Sequence, residues 1–252
     1  MKFDYPGEDR IPQLRQVWKD SFGDTDAFLD LFFSTGFHPR RCRCAVEEDR
    51  VVAALYWFDI HWSDLRCAYL YAVATDPQYR GRGLCRNLME DTAAVLTAAG
   101  YDGALLVPQE DGLIAMYGKM GYLPATSIRE EIHPAGNTPV AFQEIAAPEY
   151  AEARIPLLPP CSVIQDGNNL PFFAAIARFY RGDGFLAAVS REQEHLRILE
   201  FLGDISQAAG LIRVLGHTEA TLRTPGSGKP FAMYRPLSAH CSKPDYFAFP
   251  FD

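Results

Sequence analysis

The chain has 252 residues, of which 48% are hydrophobic and 22% are charged, and its formal net charge is -8. Such a composition can bury a full core and excludes an intrinsically disordered chain. The negative charge argues against nucleic-acid binding, because that requires a basic surface, and it is compatible with a cationic partner.

The N-terminal residues are acidic and polar, and no apolar stretch reaches the roughly 18 residues that a membrane span needs. We therefore expect no membrane partner and a cytoplasmic location. The six cysteines and six histidines lack CxxC or zinc-type spacing, so we expect reduced thiols and no metal. Cys42 and Cys44 would face the same side of a strand, where packing is favoured over a metal site.

Helical spacing of apolar residues opens the chain, from Ile11 to Phe22. Asp24 or Thr25 can cap a second helix that carries Phe28 and Phe32. Three runs rich in β-branched and aromatic residues follow and predict antiparallel strands. These runs are Arg43 to Glu47, Val51 to Ile60 and Arg66 to Thr75.

The pattern changes at Pro77, where a glycine-rich turn leads into an apolar stripe of helical period that ends at Gly100. The order is therefore strand, turn, helix. The short run Ala104 to Val107 predicts the next strand, and Asp111 to Lys119 predicts a helix that ends near Gly121.

Two proline-containing segments, at residues 133–139 and 156–160, interrupt regular structure in the second half. We place a domain boundary here and predict domains at 1–138 and 139–252, the second a smaller α+β domain. Pro171 predicts the start of a helix that runs through Ile176 to Tyr180. The remaining predicted elements are a helix from Asp204 to Leu215 and strands at Phe185 to Ser190, His195 to Leu202, Glu219 to Arg223, Phe231 to Pro236 and Tyr246 to Phe251.

The turn before the third helix has the residues of an anion-binding cradle. Gly81 and Gly83 lie between a strand and a helix start, where several backbone N–H groups lack partners and point one way. Glycine permits close approach of a pyrophosphate, and Arg80, Arg82 and Arg86 add positive charge. For two glycines alone, an ordinary turn with solvated arginines would be the favoured interpretation.

Two other nucleotide-binding motifs are excluded by the residues themselves. Gly228-Lys229 lacks the earlier glycine of a P-loop and is followed by Pro230 instead of Ser or Thr. A Rossmann GxGxxG motif would need a glycine where Arg86 stands. The cradle therefore belongs to neither class.

The stretch Leu70 to Leu84, LYAVATDPQYRGRGL, resembles the acetyl-CoA signature Q/R-x-x-G-x-G/A of the GNAT superfamily of N-acetyltransferases, with Gln78, Gly81 and Gly83 at the defining positions. A second segment, MYGKMGY from Met116 to Tyr122, resembles the GNAT segment lYeklGF. The run Ile114 to Thr126 is similar to aminoglycoside acetyltransferases of the enhanced-intracellular-survival (Eis) type. The pattern from Trp18 to Asp24 resembles their shorter bacterial relatives.

This resemblance implies a mixed α+β GNAT fold, followed by a second α+β domain that is a candidate degenerate GNAT-like unit and part of the acceptor cleft. It implies transfer of an acetyl group from acetyl-CoA, one molecule per chain, to a primary amine of a small molecule, peptide or protein through a ternary complex. The alternative is a non-catalytic acetyl-CoA-binding sensor or interaction module. The sequence leaves a homo-oligomer open.

The resemblance also implies roles for particular residues. The backbone of Val73 and Thr75 would pair with pantetheine and hold the carbonyl, and Tyr117 would protonate the departing thiolate. The rest of the expected acetyl-CoA site comprises Gln78, Arg80, Gly81, Arg82, Gly83, Leu84 and Cys85.

For Tyr117 the alternative is a packing role with a locally satisfied hydroxyl. In the Eis-type relatives the terminal carboxylate acts as the base, which would place that role on the α-carboxylate of Asp252. Core packing of the aromatic residues before it is the favoured alternative there. Glu110 and Asp111 could relay a proton, although capping the next helix is the more ordinary role for them.

Overall fold

The computed structural model describes residues 1–165, 167–191 and 195–247. Contacts divide the chain into two compact units. The first unit comprises Met1–Leu123 and Met233–Ser242, and the second comprises Pro124–Ala232 and, among the described residues, 243–247. This division differs from the predicted boundary after residue 138, because a strand that precedes residue 138 pairs within the second unit.

The elements of the first half of the chain are β1 (Lys2–Asp4), α1 (Ile11–Phe22), α2 (Asp26–Thr35), β2 (Cys42–Glu47), β3 (Arg50–Trp62), β4 (Leu65–Thr75), α3 (Leu84–Ala98), β5 (Gly103–Leu106), α4 (Asp111–Gly118) and β6 (Leu123–Pro124). The second half forms β7 (Ser127–Pro134), β8 (Phe142–Ile145), α5 (Ala147–Arg154), β9 (Ser162–Gln165), α6 (Leu170–Ile176), β10 (Ala177–Gly182), β11 (Phe185–Ser190), β12 (Arg197–Gly203), α7 (Ala208–Val214), β13 (Glu219–Pro225), β14 (Lys229–Pro230), β15 (Met233–Pro236) and β16 (Tyr246–Phe247).

Local chemistry explains the boundaries of the two opening helices. α1 has a proline in its first turn and ends at Gly23, whose φ of 75° places it in the left-handed region that favours glycine. Thr25 caps α2, because its hydroxyl accepts a hydrogen bond from the Phe28 N–H at 3.2 Å. Of the two caps that the sequence allowed, Thr25 is the one used.

The first sheet is mixed. β1, β2, β3 and β4 pair antiparallel in succession, β4 pairs parallel with β5, and β15 pairs antiparallel with the far side of β5. The parallel ladder joins Cys67 to Gly103 and ends where Tyr69 meets Leu105. The rest of β4, from Leu70 onward, therefore extends beyond its ladder with β5.

A bulge bends β4 in the stretch that extends beyond its ladder with β5. Ala54 pairs with Ala74 and Tyr56 pairs with Tyr71, so one residue of β3 faces two of β4. Ala72 lies in the bulge with a φ of 48°, which is uncommon for a residue with a Cβ. The strand direction therefore changes at Ala72, and the residues from Val73 to Thr75 bend away from the line of the regular ladder.

The two faces of the first sheet carry different cores. On one face α3 packs Leu88, Met89 and Leu96 into a buried cluster with Leu55. On the other face Trp18 of α1 lies 5.0 Å from Tyr56 and 5.6 Å from Tyr71, measured between ring centroids. Alternation along β3 divides the two cores, since Leu55 and Tyr56 point to opposite sides.

The second sheet repeats the same kind of topology. Its order is β14-β7-β13-β12-β11-β10-β8, and among the described residues each neighbouring pair is antiparallel except β12 with β13, which is parallel. The helix α7 connects the two parallel strands and packs Leu211 and Ile212 against Ile198 and Leu222. The second unit is thus also a mixed α+β layer structure.

Two predicted elements of the second half are corrected by the structure. The helix predicted from Pro171 to Tyr180 ends at Ile176, because Ala177–Gly182 form β10 between β8 and β11, where strand pairing and burial of Phe179 override helical propensity. The predicted strand Phe231 to Pro236 lies largely in the first unit, where Met233–Pro236 pair with β5. Of the predicted strand Tyr246 to Phe251, residues 248–251 lie outside the described residues.

Within the described residues, no helix is both long enough and apolar enough to cross a membrane.

Candidate functional site

Residues Gln78 to Gly83, here called the glycine turn, connect β4 to α3. Gly81 and Gly83 both have a φ of 75°, a conformation that residues with a Cβ rarely adopt. A Cβ built on either glycine would meet no heavy atom within 4 Å. Glycine is therefore required here by backbone conformation, and the surface of the turn stays open to a close approach.

The N-terminus of α3 begins directly at this turn. Gly83 is its N-cap and provides no capping side chain, and the first helical hydrogen bond runs from the Asn87 N–H to the Gly83 carbonyl at 3.1 Å. The first amides of a helix have no acceptor within the helix, and the helix dipole adds partial positive charge there. The 15-residue helix thus presents an N-terminus suited to an anion.

A buried aspartate holds the turn in place. The Asp76 carboxylate accepts a hydrogen bond from the Gln78 N–H at 2.9 Å and pairs with the Arg50 guanidinium at 2.6 Å. Its own N–H donates to the Val52 carbonyl at 2.9 Å. Sequence reasoning missed this role, although an Asp-Pro pair at the start of a turn is a recognisable signal for it.

The arginines of the turn are tied to its backbone. Arg80 donates through Nε to the Thr75 carbonyl at 3.1 Å, and Arg82 donates to the Gln78 carbonyl at 3.1 Å. The Arg82 guanidinium also lies over the Tyr79 ring, 4.8 Å from its centroid. Positive charge is therefore held around the turn.

A pocket of about 500 Å³ opens beside the glycine turn, and apolar side chains dominate its wall. It brings together seven of the nine residues that the sequence predicted for acetyl-CoA binding. These seven are Val73, Thr75, Arg80, Gly81, Gly83, Leu84 and Cys85. The other two, Gln78 and Arg82, are exposed and lie on the turn outside the described pocket wall.

Sequence reasoning missed the part of the wall that comes from α1 and α4. Ser21 and Phe22 end α1, and Leu113, Met116 and Met120 come from α4 and the turn after it. The two methionines stand within the MYGKMGY segment, so their apolar character was a usable signal. No local pattern pointed from α1 to this pocket.

Tyr117 lies on α4, with its ring edge-on to Tyr122 at a centroid distance of 5.9 Å. The side chain is buried, and its hydroxyl makes no hydrogen bond to any of the described residues. Burial raises the pKa of Tyr117, and the neighbouring Cys85 thiol, which lines the pocket, raises it further. The phenol is therefore protonated at neutral pH and has a proton to donate.

Three further candidates have different outcomes. Glu110 is the N-cap residue of α4 but makes no capping hydrogen bond, so that favoured role is wrong for this side chain, which is longer than the usual caps. Asp111 lies in the first helical turn, where a carboxylate favours the dipole. Asp252 lies outside the described residues.

Two of the cysteines, Cys42 and Cys44, lie in the core of the first unit. Cys42 and Cys44 are fully buried in β2, as the packing interpretation predicts, and burial raises the pKa of both thiols. Over the part of the chain that the structure describes, no group of three or more His, Cys, Asp or Glu side chains is arranged to hold a metal ion.

Residues 2–125 match the family described as acetyltransferase (GNAT) domain. An aminoglycoside 2'-N-acetyltransferase from Mycolicibacterium fortuitum is 38% identical over 74 residues, which are 29% of this chain and 37% of that protein. The match thus spans little more than a third of this relative.

Solved structures extend the likeness to both units. A GCN5-related N-acetyltransferase from Anabaena variabilis has a TM-score of 0.75 at 15% identity, covering 94% of this chain and 73% of the other. Eis1 from Mycobacterium abscessus has a TM-score of 0.69 at 12% identity, covering 94% and 74%. At such identities the likeness concerns the fold, and it supports a second, GNAT-like unit. The family match identifies the site described above as part of a GNAT acetyltransferase domain, which residues 2–125 form.

Proposed function

We propose that this chain is an N-acetyltransferase that moves the acetyl group of acetyl-CoA to a primary amine. The observation that carries the proposal is an apolar pocket that has an open anion cradle at Gly81 and Gly83 and whose wall residue Cys85 neighbours the buried, protonated Tyr117. GNAT acetyltransferases take their acetyl group from acetyl-CoA, and an acetyl-CoA molecule has a pyrophosphate at one part and a thioester at the other.

The pyrophosphate would bind at the start of α3. Backbone N–H groups from Gly81 to Cys85 supply uncapped donors, and the helix dipole favours negative charge at this point. Arg80 and Arg82 are already held at the turn by hydrogen bonds to its backbone. Gln78, at the outer edge of the turn, completes the proposed set.

The pantetheine arm would lie along the end of β4. Beyond Tyr69 this strand extends past its ladder with β5, so its edge faces the pocket that Val73 and Thr75 line. An extended arm carrying amide groups can pair with such an edge as an additional strand would. Val73 would then hold the thioester carbonyl, and its N–H would stabilise the oxyanion of the tetrahedral intermediate.

The proposed chemistry uses one proton acceptor and one proton donor. An amine of lysine type has a pKa of about 10.4 and must lose a proton before its lone pair can attack the thioester carbonyl carbon. Collapse of the tetrahedral intermediate breaks the carbon–sulfur bond, and Tyr117 donates its proton to the departing thiolate. The products are the N-acetylated amine and CoA.

For the proton acceptor we propose the α-carboxylate of Asp252, on the basis of the resemblance to Eis-type enzymes. Extending the C-terminus by a few residues converts this carboxylate into a peptide amide without altering any described side chain. We expect the extended protein to lose acetyl transfer and to keep its melting temperature. Full activity in the extended protein would assign the base elsewhere.

The acceptor is proposed only as a class. The curated relative from Mycolicibacterium fortuitum is named for an aminoglycoside, and the net charge of -8 favours cationic amines near the protein. Release of free CoA thiol should be measured with aminoglycosides, polyamines and lysine peptides, and calorimetry should measure acetyl-CoA binding in parallel. Tight binding of acetyl-CoA without turnover on any amine would favour the alternative, a non-catalytic acetyl-CoA sensor.

A further inference from the structure

Two cysteines of the first unit lie close together over β5, away from the pocket. Cys67 belongs to β4, and Cys241 follows β15 by a short turn. A Cβ built on Gly103 would lie 2.7 Å from the Cys241 Sγ and 3.4 Å from the Cys67 Sγ. Both sulfurs therefore pack against the same point of β5.

The backbone around the pair is held by specific contacts. Gly103 pairs with Cys67 on one side and with Pro236 of β15 on the other. After β15 the chain turns back, and the Ser238 N–H and hydroxyl donate to the Asp102 carbonyl and carboxylate at 3.0 Å and 2.9 Å. The proximity of the thiols is thus a consequence of sheet register and an anchored turn.

The two sulfurs differ in accessibility and in acidity. Cys67 is fully buried, whereas Cys241 is half-buried. The neighbouring Cys67 thiol lowers the pKa of Cys241, whereas the Cys241 thiol and burial raise the pKa of Cys67. Of the pair, Cys241 is the thiol that forms a thiolate first and that a reagent in solution can reach.

We propose that Cys67 and Cys241 form a reversible disulfide, with a glutathione-type disulfide as the oxidant. The Cys241 thiolate attacks one sulfur of glutathione disulfide, forming a mixed disulfide and releasing one glutathione thiolate. Cys67 then loses its proton and attacks the Cys241 sulfur, releasing the second glutathione. Two protein thiols are oxidised, and one glutathione disulfide is reduced to two molecules of glutathione.

The bond would link β4 to the segment that follows β15. Because the two cysteines are far apart in sequence, the link closes a long loop and restricts the unfolded chain. Oxidation should therefore stabilise the protein, and it should do so reversibly. Gly103 has a role in this arrangement, since any side chain there would collide with the Cys241 sulfur.

The test uses the full-length protein incubated with glutathione disulfide and then alkylated and digested without reduction. We expect a peptide pair joined through Cys67 and Cys241 and a melting temperature raised by about 5 to 10 °C. Dithiothreitol should reverse both results. Cys241→Ser should abolish both, whereas Cys161→Ser, which removes an exposed thiol, should leave both unchanged.

The proposal is overturned if Cys67 is still fully alkylated when the oxidised protein is denatured in the presence of the alkylating reagent. It is also overturned if Cys241 is recovered only as a glutathione adduct. Linkage of either cysteine to a different partner also overturns it. These outcomes are read on the wild-type protein, so they remain decisive even if Cys241→Ser folds poorly.

Discussion

The two units of this chain contain the same succession of strand, turn, helix and parallel strand, but their turns differ in sequence. In the first unit, β4 leads through Gly81 and Gly83 into a 15-residue helix without a side-chain cap. In the second unit, β12 leads through Gly203 into a 3-10 turn and a seven-residue helix, and Asp204 occupies the start of that turn. The topology is shared, and the chemistry of the turn is not.

Both turns start with an aspartate, Asp76 in the first unit and Asp204 in the second, and the residues that follow it separate the two turns. The Asp204 carboxylate accepts hydrogen bonds from the Ser206 N–H at 3.0 Å and from the Gln207 side chain at 3.3 Å. In the second unit the helix follows the 3-10 turn directly, so no left-handed Gly-x-Gly stands between Asp204 and the helix. The shared topology thus places a strand-to-helix turn in each unit, and the residues of the turn decide which helix start is open to an anion.

The units also differ on the sheet face opposite α3 and α7. In the first unit this face holds the aromatic cluster around Trp18 and Tyr56. In the second unit this face of β12 carries Glu200, fully buried, which accepts from Tyr150 at 2.6 Å and from Arg154 at 3.1 Å. An aromatic cluster thus fills this face in one unit, and a buried ionic network lies on it in the other.

The largest effect that we predict comes from removing the buried carboxylate of Glu200. Glu200→Ala leaves the buried Arg154 without its carboxylate, so the free energy of unfolding should fall by about 3 to 5 kcal/mol. Denaturant titration measures this. Asp30→Ala, which removes an exposed carboxylate paired with Arg15, should cost less than about 1 kcal/mol. Similar losses in the two variants would show that the buried network contributes no more than a surface pair.

The second prediction tests whether the glycine turn is the cofactor site. Gly83→Ala should weaken acetyl-CoA binding about 100-fold, since the added Cβ strains the turn and obstructs approach to its amides. Gly216→Ala is the matched control, because Gly216 has a φ of 84° and equally open surroundings in the second unit. Calorimetry should find binding unchanged in the control. Equal loss in both variants would mean that general strain, not the site, governs binding.

The third prediction concerns the proposed acid. Tyr117→Phe should lower kcat about 10- to 100-fold with little change in the KM for acetyl-CoA, because only the proton donor is removed. Tyr122→Phe, its ring partner, should leave kcat within about two-fold of wild type. Because the pKa of Tyr117 is raised, wild-type kcat should not fall through this group between about pH 7 and about pH 9. An unchanged kcat in Tyr117→Phe would leave Tyr117 only a packing role.

The glycine turn could be predicted from sequence because its chemistry is local: Gln78, Gly81 and Gly83 stand together, and the strand and helix around them have clear periodicity. The support of the turn by Arg50 could not be predicted, since Arg50 starts β3 and pairs with Asp76, which follows β4. The same holds for Phe22 in the pocket wall and for the return of β15 to the first sheet. Local patterns fix turns and element types, whereas partners distant in sequence are decided by packing.

The smallest effect that we predict concerns Asp204, at the start of the turn that follows β12. Hydrogen bonds from Ser206 and Gln207 lower the pKa of Asp204, so its stabilising effect is complete above the usual aspartate pKa of about 3.9 and is lost as the pH falls through the lower folded value. Asp204→Ala should lower the melting temperature by about 2 °C at neutral pH, and the difference should shrink as the pH falls below about 3.9. The variant should still bind one acetyl-CoA per chain by calorimetry, because removing the carboxylate supplies neither a left-handed Gly-x-Gly nor a long uncapped helix. A second bound acetyl-CoA in Asp204→Ala would mean that the Asp204 carboxylate alone keeps the cofactor from the second turn.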